Sequence, residues 1–296
     1  MNQRNSSPGG ITLSVSAAAR SDVGRVREHN EDTIALCEPP DQARLSQFGR
    51  LYLLADGAGG HAAGEIASRL AVETIAAVYY DQAAFRELDK EMFHSRDVLK
   101  RLNNSFSDLD VPILQLQRTF FAAHTRLRKL ATLKPEYAGM ATTCIAAVVK
   151  NAHVAIAHVG DSRAYLIHSL PRSRSTITRL TTDHSMVSEL VRVGVISPEA
   201  MHSSPSRHIV LRVLGGRTQN SPDPDVMTCI VQAGDHLVLC CDGLWSMLTE
   251  EQIASEVSRN TPQAACDQLV QLANEAGGED NISVVVLSFI ESIQKT

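Results

Sequence analysis

Two apolar segments of this chain end in the same way. Leu51-Tyr-Leu-Leu-Ala55 runs into Asp56-Gly57, and Leu237-Val-Leu-Cys-Cys241 runs into Asp242-Gly243. An apolar run of that length closed by glycine reads as a buried strand that delivers one carboxylate to a sharp turn. Two more acids border strand-like runs from the other side. Asp32, in Asn30-Glu31-Asp32, precedes Thr33-Ile-Ala-Leu36, and Asp280 stands just before Ile282-Ser-Val-Val-Val-Leu287. Carboxylates at the ends of four apolar strands are costly unless something cationic gathers them. The fold must therefore bring strand ends from residues 32 to 280 to one place and supply positive charge there.

The donor set narrows the chemistry. It is all oxygen, with no histidine among the acids, which suits Mg2+ or Mn2+ and not zinc or copper. One carboxylate can bridge two cations roughly 3.5–4 Å apart, and such a pair can activate a shared water and clamp a phosphoryl oxygen. Asp56 is the natural bridge, because Gly57 lets a backbone carbonyl approach the metal as well. Arg27, five residues before Asp32, is placed to grip a phosphate through its guanidinium fork. Taken singly, each Asp-Gly is only a turn, and Arg27 is a surface cation with Glu28 and Glu31 for partners. His29, His61, His158 and His184, taken singly, read as structural or surface histidines. The four strand ends taken together outweigh those readings.

A competing pattern lies in the same turn. Gly57-Ala-Gly59-Gly-His-Ala62 fits a dinucleotide-binding fingerprint between a strand and a helix. An anion at Asp56, directly before the glycines, is wrong for a diphosphate. No strand closed by an acid follows about 20 residues on, as that fold demands.

Composition excludes other classes. The chain has 296 residues, 44% hydrophobic and 21% charged, as in a soluble globular protein. A net charge of −5 argues against nucleic acid or an anionic membrane as partner. No apolar run approaches the roughly 20 residues of a membrane span. The polar start, with Pro8, Gly9 and Gly10, reads as a frayed tail and not as a signal peptide. Six cysteines show no C-x-x-C spacing, which points to reduced, buried thiols in a cytoplasmic protein.

Periodicity places strands at Ile11 to Ala18, Thr33 to Cys37, Leu51 to Ala55, Thr142 to Val149, His153 to Val159, Ala164 to Ile167, His236 to Cys241 and Ile282 to Phe289. Helices are expected over Gly64 to Tyr80, Leu114 to Leu130 and Asp183 to Val193, the last capped by Asp183. Ser197-Pro198-Glu199 and Thr261-Pro262 are further helix starts, and Thr249-Glu-Glu-Gln252 is a capping box. His208 to Leu214 reads as a short helical turn, Pro171 to Thr178 as a polar loop, and Asp81 to Asp110 as a charged surface excursion. Paired strands with short connections and paired helices between them predict one layered α+β domain.

At this point the ordered motifs resemble the metal-dependent protein phosphatases of the 2C family, in their compact bacterial form. Arg27-Glu-His-Asn-Glu-Asp32, Asp56-Gly-Ala-Gly-Gly-His61, Gly139-Met-Ala-Thr-Thr143, Gly160-Asp-Ser-Arg163, the segment from Thr181 to Leu214, Cys241-Asp-Gly-Leu-Trp245 and Glu279-Asp-Asn-Ile-Ser283 follow the family's order. The resemblance implies an α+β fold, a four-layer α-β-β-α sandwich of two antiparallel sheets flanked by helices. It implies a tail over residues 1–13, a single domain over 14–291 with a flap at about 181–214, and a short tail over 292–296. It implies that Asp56 bridges two core ions, Mn2+ or Mg2+, that the Gly57 carbonyl binds one of them, and that Asp242 and Asp280 complete the other. Asp32 would be a ligand or hold a metal-bound water, Arg27 would grip the phosphate, and Asp161 would help hold a third, weaker ion near the flap. The implied reaction is hydrolysis of phosphoserine and phosphothreonine on proteins by a metal-bridging hydroxide, with no phospho-enzyme. The implied partners are phosphorylated proteins and a cognate serine/threonine kinase, for a monomer in the cytoplasm. Ala58 and Ala141 depart from the family pattern, and Ala58 leaves no acid side chain at a position where animal relatives carry histidine. The other class to weigh is a binding-only pseudo-phosphatase adaptor, which would have lost some of the acids; all are present.

Overall fold

The computed structural model describes residues 11–39, 41–58, 62–81, 110–170, 174–201, 204–217 and 221–293. In chain order its strands are β1 (Ile11–Asp22), β2 (Thr33–Cys37), β3 (Arg50–Ala55), β4 (Gly57–Ala58), β5 (Ala141–Thr142), β6 (Cys144–Lys150), β7 (His153–Val159), β8 (Arg163–Leu170), β9 (Arg174–Arg179), β10 (Leu214–Gly215), β11 (Asp225–Ile230), β12 (His236–Cys240) and β13 (Ile282–Ile293). The helices are α1 (Gln42–Phe48), α2 (Ala62–Tyr79), α3 (Asp110–Leu133), α4 (Met186–Arg192), α5 (Asp242–Trp245), α6 (Glu250–Arg259) and α7 (Pro262–Glu275).

Two five-stranded sheets form, ordered β1-β13-β12-β8-β9 and β11-β7-β6-β3-β2, and every pairing in them is antiparallel. The apolar runs are continuous because each central strand is covered on both faces. Along β3, Leu51 and Leu53 point to helices α2 and α3, where Ala71, Ile75, Phe120 and Leu127 pack. Tyr52 and Leu54 point the other way, into an inter-sheet layer shared with Leu166, Leu239, Val285 and Leu287. On the second sheet Tyr165, Val238, Val284 and Val286 face Ile253, Val257 and Leu269 of α6 and α7. The period-two alternation of a strand thus builds the expected four layers, α-β-β-α. A small three-stranded sheet, β10-β5-β4, sits at one end.

Several local expectations need correction. β1 pairs with β13 from Ile11↔Ile293 to Asp22↔Ile282, so ordered pairing reaches past both expected tail boundaries. Residues 174–179 are a strand and not part of a loop, pairing Ile177 with Ile167. Strand β11 and helix α1, the latter capped by the Asp41 side chain, were not expected. Asp183 is not a helix cap: Ser185 caps α4, its hydroxyl accepting from the Ser188 N–H. His208 to Leu214 forms no helix; Val210 bridges Ser185 instead. The start at Pro198 yields only a single 3-10 turn. The excursion expected over residues 81–110 lies, but for its two ends, outside the described residues, as does His61.

Candidate active site

Strand ends deliver the acids. Asp56 follows β3, Asp242 opens α5 directly after β12, Asp32 precedes β2, Asp280 precedes β13, and Asp161 follows β7. The turn at Asp56 is fixed by its backbone. Its carbonyl accepts the Thr143 N–H (2.9 Å) and the Thr142 hydroxyl (2.8 Å), and its N–H donates to Thr143 Oγ1 (3.2 Å). Gly57 is required for a steric reason as well, because a Cβ there would run into the carbonyl oxygens of Gly64 and Glu31.

The loop carrying Arg27 and Asp32 is held by Asn281. Its amide nitrogen donates to the carbonyls of Val23 and His29, both at 2.9 Å, and its oxygen accepts the Glu31 N–H at 2.8 Å. Asn281 therefore locks Asp32 against Asp280, its own neighbour, whose Oδ1 accepts the Asn281 N–H (2.9 Å). Sequence reading missed Asn281 and Thr143, although both stand inside the motifs that carry the family resemblance.

The carboxylates interact strongly. Burial first, then the charges of Asp32, Asp242, Asp161 and Asp280, push Asp56 well above the usual carboxylate range. Burial pushes Asp32 up to about 7, with Asp242 and Asp280 adding to the rise and the nearby Ser283 and Cys241 side chains offsetting part of it. Asp161 rises to about 8 through burial and then through Asp242 and Asp183. Asp242 rises through burial and Asp280, and the Asp56 carboxyl lies within hydrogen-bonding reach of it. Both carboxylate oxygens of Asp32 and Oδ1 of Asp242 are buried without a hydrogen-bond partner. Buried oxygens with no donor, among carboxyls that resist ionising together, fit a hard divalent cation as the missing partner.

Cys241 brings its sulfur within 4.8 Å of ligand atoms of Asp32 and Asp56. The thiol donates to the Asn281 carbonyl (3.2 Å) and accepts the Ser283 N–H (3.1 Å), and burial raises it far above a free thiol. It is a neutral wall of the site and not a soft ligand.

Arg27 reaches the cluster from the solvent side, its guanidinium donating to Asp280 Oδ2 at 2.7 Å. Beside it opens a cleft of about 750 Å3 whose walls include Asp242, Trp245, Arg179 and Arg207. Arg163 on that wall makes a two-point bond to Asp183 (3.0 and 2.6 Å) and stacks 3.5 Å over the Trp245 ring. Asp161 is almost fully buried, and its carbonyl accepts the Trp245 indole N–H at 3.0 Å. The predicted residues Arg27, Asp32, Asp56, Gly57, Asp161, Asp242 and Asp280 therefore meet at one end of the sandwich. His158 and His184 lie apart, in a separate group with Asp225.

A protein phosphatase 2C family model matches residues 25–275. The chain is similar to a serine/threonine phosphatase, stp, of Listeria innocua, with 33% identity over 272 residues that cover 92% of this chain and 94% of the relative. Its fold superposes on the serine/threonine phosphatase PstP/Ppp of Mycobacterium tuberculosis with a TM-score of 0.70 and 31% identity, covering 93% of this chain and 98% of the other. It also superposes on the catalytic domain of PstP in complex with two manganese ions, with a TM-score of 0.67 and 30% identity, covering 94% of this chain and 100% of the other.

Proposed function

The chain belongs to the protein phosphatase 2C family, and from that premise we propose that it removes phosphate from phosphoserine and phosphothreonine of proteins in a metal-dependent hydrolysis. The observation that carries the reading is the convergence of four strand-end aspartates, with both carboxylate oxygens of Asp32 and Oδ1 of Asp242 buried without a partner. Asp56, Asp242 and Asp280, with the Gly57 carbonyl beside Asp56, would hold the ions, Asp56 as a ligand shared between them, and Asp32 would be a further ligand or hold bound water. When bound, Mn2+ or Mg2+ ions supply an activated water and offset charge on the transferring phosphoryl group. The side chains do the rest. Asn281 and the Thr142-Thr143 pair keep the carboxylates in place. Arg27, at the cleft mouth, exchanges its carboxylate partner for a phosphate oxygen when substrate arrives. Asp161, next to the Gly160 that His184 of the flap bonds, would help hold a third, weaker ion.

In this reading one domain carries all the acids and Arg27, and the enzyme works as a monomer. It opposes a cognate serine/threonine kinase. Six free cysteines, none paired, support a reducing cytoplasmic setting. A binding-only adaptor is disfavoured, since such a relative has no use for an intact acid set. The test is hydrolysis of a phosphothreonine peptide with and without Mn2+. Metal-dependent release of phosphate is expected; phosphopeptide binding without turnover at saturating Mn2+ would establish the adaptor instead.

A further inference from the structure

A second polar group lies at the base of the flap. His184, next to Asp183, meets Asp225 at the start of β11, with Nε2 to Oδ2 at 3.1 Å. Arg212, from the far end of the flap, bonds the other oxygen of Asp225 at 2.8 Å. His158, opposite Asp225 in the β7–β11 register, packs edge-on against His184 with ring centroids 4.5 Å apart.

Ligand atoms of His158, His184 and Asp225 lie within 4.8 Å of one another, a spacing that would suit a transition metal. The proton positions argue otherwise. The Gly160 N–H donates to Nδ1 of His184 (3.2 Å), so that nitrogen carries no proton. An accepting Nδ1 makes the ring neutral, and burial, which lowers the His184 pKa, acts in the same direction. Arg212 Nη1 also lies 3.3 Å from Nε2, but its shorter bond is to Asp225 at 2.8 Å, so the single proton sits on Nε2, where it faces Asp225 and leaves no lone pair for a metal.

The same arithmetic gives the group a purpose. The His184 ring accepts from the Gly160 N–H while the His184 N–H donates to the Gly160 carbonyl at 2.9 Å, a reciprocal clamp on one peptide. The next residue is Asp161, whose carbonyl is pinned from the other side by Trp245 of α5, the helix that Asp242 opens. Gly160 has φ +111°, and a Cβ there would collide with Thr143, so the turn has no slack in that direction. The flap closes on the same residue, since the Leu211 N–H donates to the His184 carbonyl at 2.7 Å.

We propose that Asp225 and His184 form a positioning pair, in which the carboxylate fixes the imidazole tautomer and the imidazole holds the Gly160-Asp161 turn at the metal centre while tying both ends of the flap to strand β11. His184 touches neither substrate nor metal; it acts through Asp161, and the inference rests on the reading of Asp161 as an acid of that centre.

Two near-isosteres separate the roles. His184→Asn places Oδ1 where Nδ1 stands and keeps an acceptor for Gly160. His184→Gln reaches only the Nε2 position and keeps the Asp225 contact alone. On a phosphothreonine peptide with saturating Mn2+, His184→Gln is expected to lower kcat about 10- to 100-fold with KM within about threefold, and His184→Asn to stay within about threefold of wild type. Nitrogen-15 NMR of the wild-type ring is expected to show Nδ1 unprotonated and Nε2 protonated, with the two tautomers mixed in Asp225→Ala. Equal impairment of the Asn and Gln variants, or a protonated Nδ1 in the wild type, would overturn the proposal, and the NMR arm decides even if a variant fails to fold. Asp161→Ala separates the layers. If it turns over like wild type, the reading of Asp161 fails and the positioning fails with it. If Asp161→Ala is impaired while His184→Gln is not, the positioning pair alone is refuted.

Discussion

At the scale of single residues, the acids were legible because each interrupts an apolar run, where a charge is expensive. Asn281 and Thr143 were not legible. Their work is to bond backbone groups far away in sequence, such as the Val23 carbonyl and the Asp56 N–H, and no local pattern marks that. Asp56→Asn and Asp242→Asn should each lower kcat by more than about a hundredfold, because metal clamping contributes several kcal/mol to barrier lowering, while circular dichroism stays native. Steady-state turnover within tenfold of wild type in either variant would contradict the ligand assignment. Arg27→Ala should lower kcat/KM about 30- to 150-fold, the worth of a charge-assisted hydrogen bond. Its present partner is Asp280, through an ion pair that is half exposed, so removing it takes away a competitor for that carboxylate. Calorimetry should therefore find Mn2+ affinity unchanged or tighter; a collapse in metal binding would make Arg27 structural.

At the scale of elements, starts with side-chain grammar were read well and starts set by tertiary contacts were not. The capping box at Thr249 is formed in full, with Thr249 accepting from the Gln252 N–H and Gln252 reaching back to the Thr249 N–H. Asp183 has the chemistry of a cap, yet its carboxylate is committed to Arg163, so the helix starts later with Ser185 as cap. Strand β9 looked like a loop because Arg174 to Arg179 is polar; its Thr-Ile-Thr centre pairs on a sheet edge, where only one face needs to be apolar. The two roles predict different costs. Ser185→Ala loses one cap bond and should cost about 1 kcal/mol. Asp183→Ala strands the buried Arg163 guanidinium and should cost about 3–5 kcal/mol. Urea denaturation of both variants distinguishes them, and equal costs would mean that the Arg163–Asp183 pair is not what Asp183 is for.

At the scale of the whole molecule, the two five-stranded sheets are held by apolar layers, but they meet at one end over mutually repelling carboxylates. The layered architecture was legible from strand pairs and helix pairs; the small β10-β5-β4 sheet, built from two-residue strands, was too short to leave a periodic trace. The repulsion has a direction in pH. Without metal, burial and the neighbouring carboxylates push Asp32 up to about 7 from an ordinary 3.8, so the folded state holds a proton that the unfolded state has already released. Through this group the folded state binds more protons than the unfolded one across that window, so the contribution of Asp32 to stability falls as pH rises through it. That shift, discounted by half for relaxation and water entry, is worth about 2 kcal/mol over its whole span, and the part from pH 5 upward is worth about 1.4 kcal/mol, or about 2 °C in Tm for a chain of 296 residues. Chelated protein should therefore lose about 2 °C in Tm from pH 5 to pH 8 relative to protein with Mn2+, the histidines whose pKa burial lowers adding the same opposite slope to both. Mn2+ should remove the carboxylate part of the slope, because a ligand that binds only the folded, ionised carboxylates stabilises most where they are ionised. Differential scanning fluorimetry at pH 5, 6.5 and 8, with chelator and with Mn2+, reads both slopes. Parallel slopes with and without Mn2+ would show that the strand-end aspartates are not the strained cluster that holds the metal.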